Sequence, residues 1–272
     1  MSDFIVFDID GVLIQTNGSF VESTIKTFEF IRNMFNKPAK CTIDHISFLK
    51  SLGGFNNDWD LTYALLAISW DYEFFNDIEF LTILKNYFRF NKNLPEIEVD
   101  YEFVKRIFQE YYLGEKLFYE IYLERPRYIF FKGFIYQEKP LINFCNYSID
   151  REKIGIYSGR CYKEAEVALR AVNLIPLKEF YFTDDSGYKK PDPTPLQKMF
   201  VINKCSKMTY VGDTLDDLEL VIKAREIGLP VEFAGVQTGT YSNQLSDKIR
   251  NFSFAKMFRD VREYLDSFIY SI

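Results

Sequence analysis

A chain of 272 residues, 47% of them hydrophobic and 26% charged, has apolar material for a sizeable core and the balance of an ordinary globular protein. Its net charge of −6, with no run rich in Lys and Arg, argues against a nucleic-acid partner, which would require a basic face. No stretch approaches the roughly 20 apolar residues of a membrane helix, and the acidic opening MSDFIVFDID lacks the basic start of a signal peptide.

Four scattered cysteines, Cys41, Cys145, Cys161 and Cys205, have neither metal-ligand nor redox spacing and read as reduced thiols. A cytoplasmic protein with no membrane partner is the expectation. The sequence leaves its oligomeric state open.

In chain order, residues 4–7 (FIVF) form a short continuous apolar run that opens into Asp8, Ile9, Asp10 and Gly11, the pattern of a buried strand closed by a loop. A different text follows. Val21, Ile25, Phe28 and Phe35 share one helical face, and Ser19 with Glu22 has the spacing of a capping box. Helices are expected over 42–50, stopped by Gly53 and Gly54, and over 58–69, 76–90 and 100–113, the last closed by Gly114. Much of the unusual aromatic content, 28 Phe and 19 Tyr, falls in this stretch.

From about residue 139 the strand-then-loop pattern returns. Residues 153–157 run into Ser158, Gly159 and Arg160, and 180–182 into Thr183, Asp184 and Asp185. Residues 208–211 run into Gly212 and Asp213, and 231–236 into Gln237, Thr238 and Gly239. Helical faces lie between them, at Ala165, Ala168, Leu169 and Val172, and at Leu215, Leu218 and Ile222. Strand and helix in alternation imply βαβ units around a parallel sheet, a Rossmann-like α/β core over 1–14 and 139–272 with an all-helical cap over 15–138 inserted in it. In such sheets ligands sit beyond the carboxyl ends of the strands, where the acidic, Ser and Gly residues fall.

Asp8 and Asp10 follow one strand, Ser158 ends another, Asp213 and Asp217 flank a third, and Lys190 precedes the rigid Pro191-Asp192-Pro193. Carboxylates brought together this way repel one another unless a hard cation lies among them, and Mg²⁺ is the usual partner of carboxylates and phosphate.

FDIDGVL, IYSGR, KKPDP and VGDTLDD, in that order, resemble the four signature motifs of the haloacid dehalogenase superfamily, in the branch whose helical cap is inserted after the first strand. The resemblance implies a phosphatase acting on a small-molecule phosphate ester. Asp8 would be the nucleophile that becomes an aspartyl-phosphate, and Asp10 the general acid and base. Mg²⁺ would be held by Asp8, the Asp10 carbonyl and Asp213, with Asp217 orienting metal-bound water from behind. Lys190 would offset phosphoryl charge, and Ser158 and the Gly159 N–H would hold phosphoryl oxygens. Similar dehalogenases lack an acid at the position of Asp10, so phosphoester chemistry is favoured. A phosphomutase of the β-phosphoglucomutase type shares these motifs, and a non-catalytic binding role is the other alternative.

Several of these residues have bland readings. Ser158 could cap the helix that starts near Cys161, Lys189 could stand in for Lys190, and Asp216 or Asp184 for Asp217. The cap segment 50–59, with Lys50, Asn56, Asn57 and Trp59, resembles in position the loop through which related caps select the leaving group; it reads equally as a helix end, a turn and the next N-cap. His45, a lone histidine beside that segment, reads as structural.

Overall fold

The computed structural model describes residues 3–16, 18–52, 55, 57–72, 76–91, 93–239 and 242–269, so Gly53, Gly54 and Asn56 lie outside the described residues. The chain divides into two compact units, residues 1–16 with 139–272, and residues 17–138.

The strands, in chain order, are β1 (Asp3–Phe7), β2 (Ile14–Gln15), β3 (Lys139–Pro140), β4 (Ile154–Tyr157), β5 (Tyr181–Phe182), β6 (Lys207–Gly212), β7 (Val231–Val236) and β8 (Ala255–Phe258). Six of them form a parallel sheet in the order β5-β4-β1-β6-β7-β8. The first strand in sequence is therefore central, with Phe7 opposite both Ile156 and Val211. Burial on both faces explains why these strands read as continuous apolar runs.

Alternation then sorts the side chains. Ile5, Phe7, Ile154, Ile156 and Val211 enter one core, and Phe4, Val6, Tyr157, Met208 and Tyr210 the other. β8 was not foreseen: its run AKMF carries an exposed Lys256 and only partly buried neighbours, as an edge strand does. Nor was the antiparallel pair of β2 and β3, Ile14 opposite Pro140 and Gln15 opposite Lys139. That pair is why the first unit runs to Thr16 rather than ending at residue 14.

The inserted unit contains α1 (Ser19–Met34), α2 (Ile43–Ser51), α3 (Asp58–Ser69), α4 (Asp77–Phe90) and α5 (Tyr101–Tyr122) around a core that includes Phe28, Ile46, Leu65, Phe80 and Ile107. The Ser19–Glu22 capping box does not form. Gly18 takes the cap position at φ 79°, and the buried Ser19 hydroxyl instead donates to Glu138 Oε1 at 2.8 Å.

The helix expected to end at Gly114 is interrupted there, at φ 70° and ψ 175°, and then resumes to Tyr122. A Cβ at Gly114 would lie 2.1 Å from the Gly133 nitrogen, so the close approach of two backbones fixes this residue as glycine. Buried Glu110 holds the return chain, accepting from the N–H groups of Arg127 (2.9 Å), Tyr128 (2.8 Å) and Ile129 (3.1 Å) while pairing with Arg106 Nε at 2.9 Å.

The sheet is covered by α6 (Tyr162–Ala171) and α10 (Val261–Ile269) on one face, and by α7 (Thr194–Asn203), α8 (Leu215–Glu226) and α9 (Ser242–Ile249) on the other. On α8 the buried stripe is Leu218, Leu220, Val221 and Ala224, while Leu215 is exposed, so the expected face is rotated. No helix among the described residues is long and apolar enough to cross a membrane.

Candidate active site

Four loops at the carboxyl ends of β1, β4 and β6 and before α7 carry the side chains of interest. The parallel register extends by a step beyond each strand: Asp8 N–H donates to the Val211 carbonyl at 2.9 Å, and Ser158 N–H to the Phe182 carbonyl at 3.1 Å. Asp8 is thereby fixed by sheet hydrogen bonding. One of its oxygens, Oδ1, accepts from the Ile9 N–H at 2.7 Å, and the other, Oδ2, lies 2.8 Å from Lys190 Nζ.

Lys190 is also 2.8 Å from Asp217 Oδ1, so a single ammonium bridges two buried carboxylates. Lys189 is exposed and lies 3.9 Å from Asp184 Oδ1. Asp217 is saturated. Tyr210 O–H donates to Oδ1 at 3.1 Å, and the N–H groups of Asp213 and Thr214 (3.1 Å each) and the Thr214 hydroxyl (2.7 Å) donate to Oδ2. Thr214 is the N-cap of α8 and Asp217 the N3 residue of its capping box, so one oxygen starts a helix while the other holds Lys190.

Asp213 is different. It is buried, its Oδ1 has no hydrogen-bond partner among the described residues, and its Oδ2 is hemmed by two glycines. A Cβ at Gly11 would come within 2.1 Å of that oxygen, and one at Gly239 within 2.0 Å. The Thr238 hydroxyl donates to the Gly11 carbonyl and ties the loop after β7 to the loop after β1.

Asp10 stands nearer the surface. Its Oδ1 accepts from Arg160 Nε at 2.9 Å and from a second guanidinium nitrogen at 2.5 Å. Arg160 belongs to the same turn as Ser158, whose Oγ accepts the Arg160 N–H at 3.3 Å. Ser158 does not cap α6, which begins after Cys161.

The electrostatics are unbalanced. Three buried acids, Asp8, Asp213 and Asp217, lie around a single ammonium, Lys190, and Asp10 meets Arg160 nearer the surface, so acids outnumber cations here. Burial pushes the Asp8 carboxyl up to about 7, against the pull of Lys190 and with help from Asp217 and Asp10. Asp213 is raised well above the usual range, by burial and then by Asp217 and Asp8. Burial would also raise Asp217, but Lys190 and the Thr214 donors outweigh it, and that carboxyl sits below its ordinary value.

Ligand atoms of Asp8, Asp213 and Asp217 lie within 4.8 Å of one another. An orphaned buried carboxylate oxygen, two acids driven towards protonation by their own crowding and an unmet negative charge all fit a divalent cation with oxygen ligands.

A comparison with solved structures places this architecture beside a phosphatase, Tt82, from Thermococcus thioreducens, with 22% identity over 99% of this chain and 100% of that one and a TM-score of 0.70. It also finds a β-phosphoglucomutase candidate from Thermotoga maritima, at 16% identity over 100% of both chains and a TM-score of 0.52. The chain shares the fold of these proteins. A hydrolase from Pseudomonas syringae matches it at 14% identity over 100% of both chains, with a TM-score of 0.50. No family model and no curated protein matches the sequence itself.

Within this fold, the sequence-predicted residues Asp8, Asp10, Ser158, Lys190, Asp213 and Asp217 all belong to the first unit, and Gly159 lies exposed in the Ser158 turn. Lys50 and Asn57 belong to the helical unit. Lys50 Nζ pairs with Asp58 Oδ1 at 3.0 Å, and the Asn57 side-chain oxygen caps α3 by accepting from Trp59 N–H (2.9 Å) and Asp60 N–H (3.2 Å). His45 is structural: Nδ1 accepts the Thr42 N–H at 3.0 Å, and Nε2 lies 2.8 Å from the Asp77 carbonyl. The sequence reading assigned nothing to Arg160, Tyr210, Thr214 or Thr238. An arginine inside the quoted IYSGR and a Thr three residues before an acid were the available signals.

Proposed function

We propose that this protein is an Mg²⁺-dependent phosphatase that hydrolyses a small-molecule phosphate monoester through an aspartyl-phosphate on Asp8. The observation that supports it best is the buried Asp8 carboxylate at the carboxyl end of the central strand, held by Ile9 N–H and Lys190 and crowded by a second, under-satisfied acid, Asp213. Asp8 and Asp213, with the Asp10 carbonyl, would hold the metal; both Asp217 oxygens already have donors, so Asp217 acts from behind, by fixing Lys190. Bound Mg²⁺ would supply positive charge to the phosphoryl oxygens.

The remaining steps belong to the chain. An Asp8 oxygen attacks phosphorus while Lys190 offsets charge on the transferring group. Asp10 gives a proton to the leaving oxygen and later takes one from the water that releases phosphate from Asp8. The Ser158 hydroxyl and the Gly159 N–H hold phosphoryl oxygens through both halves. The proposal keeps substrate choice with the helical unit, with Lys50, Asn56 and Asn57 as candidate contacts.

Phosphate release from a broad panel of monoesters, with Mg²⁺ or with EDTA, tests this reading on wild type and Asp8→Asn. Metal-dependent release from one substrate class, reduced to background by the substitution, is the expected result. A need for a bisphosphate activator with little net phosphate release would move the assignment to a phosphomutase. Activity untouched by Asp8→Asn would overturn Asp8 as nucleophile.

A further inference from the structure

We propose that Arg160 is a positioning residue for proton transfer by Asp10, an inference that rests on the phosphatase reading above. The Arg160 side chain is 1% exposed, whereas that of Asp10 is 35% exposed, so a buried guanidinium grips a carboxylate that remains partly in water. Desolvating an arginine is unfavourable unless its partner is well placed. The turn around it does not depend on that ion pair. Arg160 N–H reaches Ser158 Oγ, its carbonyl accepts the Asp184 N–H at 3.0 Å, and α6 starts after Cys161, none of which uses the guanidinium.

Two of the three guanidinium nitrogens converge on one oxygen, Oδ1, at 2.9 and 2.5 Å. That grip fixes the carboxyl plane and leaves Oδ2 as the oxygen available for proton transfer. In the first half-reaction the Oδ2 proton passes to the ester oxygen as the P–O bond breaks and its electron pair returns to that oxygen, while Asp8 forms the new O–P bond. Asp10 is left as a carboxylate facing a cation that is already in place. In the second half, water oxygen bonds to phosphorus, Asp8 departs with the electron pair of its O–P bond, and the water proton returns to Oδ2. Arg160 touches no reacting atom in either half; it acts through Asp10.

A brace between two loops would show the same contacts, so the test must separate orientation from stability. Phenyl phosphate and p-nitrophenyl phosphate have similar shapes, but nitrophenolate departs with little need of a proton. Wild type, Arg160→Gln, Arg160→Lys and Asp10→Asn are compared on both esters with Mg²⁺. The expected result is that Arg160→Gln loses at least about tenfold more kcat on phenyl phosphate than on p-nitrophenyl phosphate, within the range of general acid catalysis. Arg160→Lys, which keeps the charge but not the fork, falls between. Adding Arg160→Gln to Asp10→Asn costs nothing further.

Equal losses on the two esters, or losses that add to those of Asp10→Asn, overturn the inference and leave the phosphatase reading standing. If Arg160→Gln does not fold, Arg160→Lys carries the same comparison alone. A wild type inert towards both aryl esters and the whole monoester panel overturns the phosphatase reading, and the role of Arg160 with it.

Discussion

Gly239 sits where a side chain cannot. A Cβ there would stand 2.0 Å from Asp213 Oδ2, and one at Gly11 2.1 Å from the same oxygen, so the Asp213 carboxylate is confined by two backbones. Replacing Gly239 with Ala must displace that carboxylate, and outer groups that orient a metal ligand are commonly worth about 10–100-fold in affinity. Titration calorimetry of Mg²⁺ into Gly239→Ala is therefore expected to show at least about tenfold weaker binding than wild type. Unchanged affinity would mean that Asp213 is not a ligand.

At this scale the sequence was legible in one respect. The short apolar runs ended in the residues that the sheet brings together, because parallel strands in register present their carboxyl ends side by side. What it hid was partnership. Nothing in IYSGR announces that Arg160 reaches across to Asp10, and the Asp217 carboxylate serves a helix start and a lysine at once, which spacing alone cannot separate.

Among the elements, α5 shows how tertiary contact overrides a local signal. Gly114 looked like a helix end; backbone crowding against Gly133 breaks the helical geometry there, yet the helix resumes. The Ser19–Glu22 spacing likewise promised a local cap, but Ser19 bonds instead to Glu138, far along the chain. The helix expected over 58–69 coincides with α3, where Asn57 supplies a cap that sequence can show.

Glu110 governs the return from α5. Three backbone donors and Arg106 converge on its buried carboxylate, so Glu110→Gln removes a charge and gives a donor to groups that are donors already. Urea unfolding is expected to show a loss of about 2–4 kcal/mol, the range for leaving buried polar groups without partners. A change below about 0.5 kcal/mol, the size of a surface substitution, would remove Glu110 from this role.

For the molecule as a whole, the crowded acids couple stability to pH. Asp8 is raised from 3.8 to about 7 in the folded protein, and Asp213 is raised as well. Unfolding returns both to ordinary values, so across that interval the folded metal-free chain binds more protons than the unfolded one. The Asp8 contribution is present below about pH 4 and is lost as the pH rises through about 7, and Asp213 acts in the same direction, the reverse of an acid stabilised in its charged form. A divalent cation held by the same carboxylates would replace those protons. Calorimetric melting with Mg²⁺ or EDTA is expected to show a larger Mg²⁺-induced rise in Tm at about pH 8 than at about pH 5. Coincident curves with and without Mg²⁺ at both values would mean that no cation relieves the crowding. At this scale the division into an α/β core and an inserted run of helices was readable from periodicity alone, while β2, β3 and the edge strand β8 were too short or too polar to announce themselves.

The β2–β3 pair sets the two strands that leave and re-enter the core side by side, with Gln15 opposite Lys139. Between those neighbours the polypeptide makes a detour of more than a hundred residues and comes back to almost the place it left. The entropy of closing a loop grows only slowly with its length, by about 0.6 kcal/mol per doubling. The junction therefore behaves as a socket: it fixes where an insert must begin and finish, and makes little demand on what the insert is. Lineages could exchange, lengthen or trim the helical unit at this point while every strand of the parallel sheet kept its register.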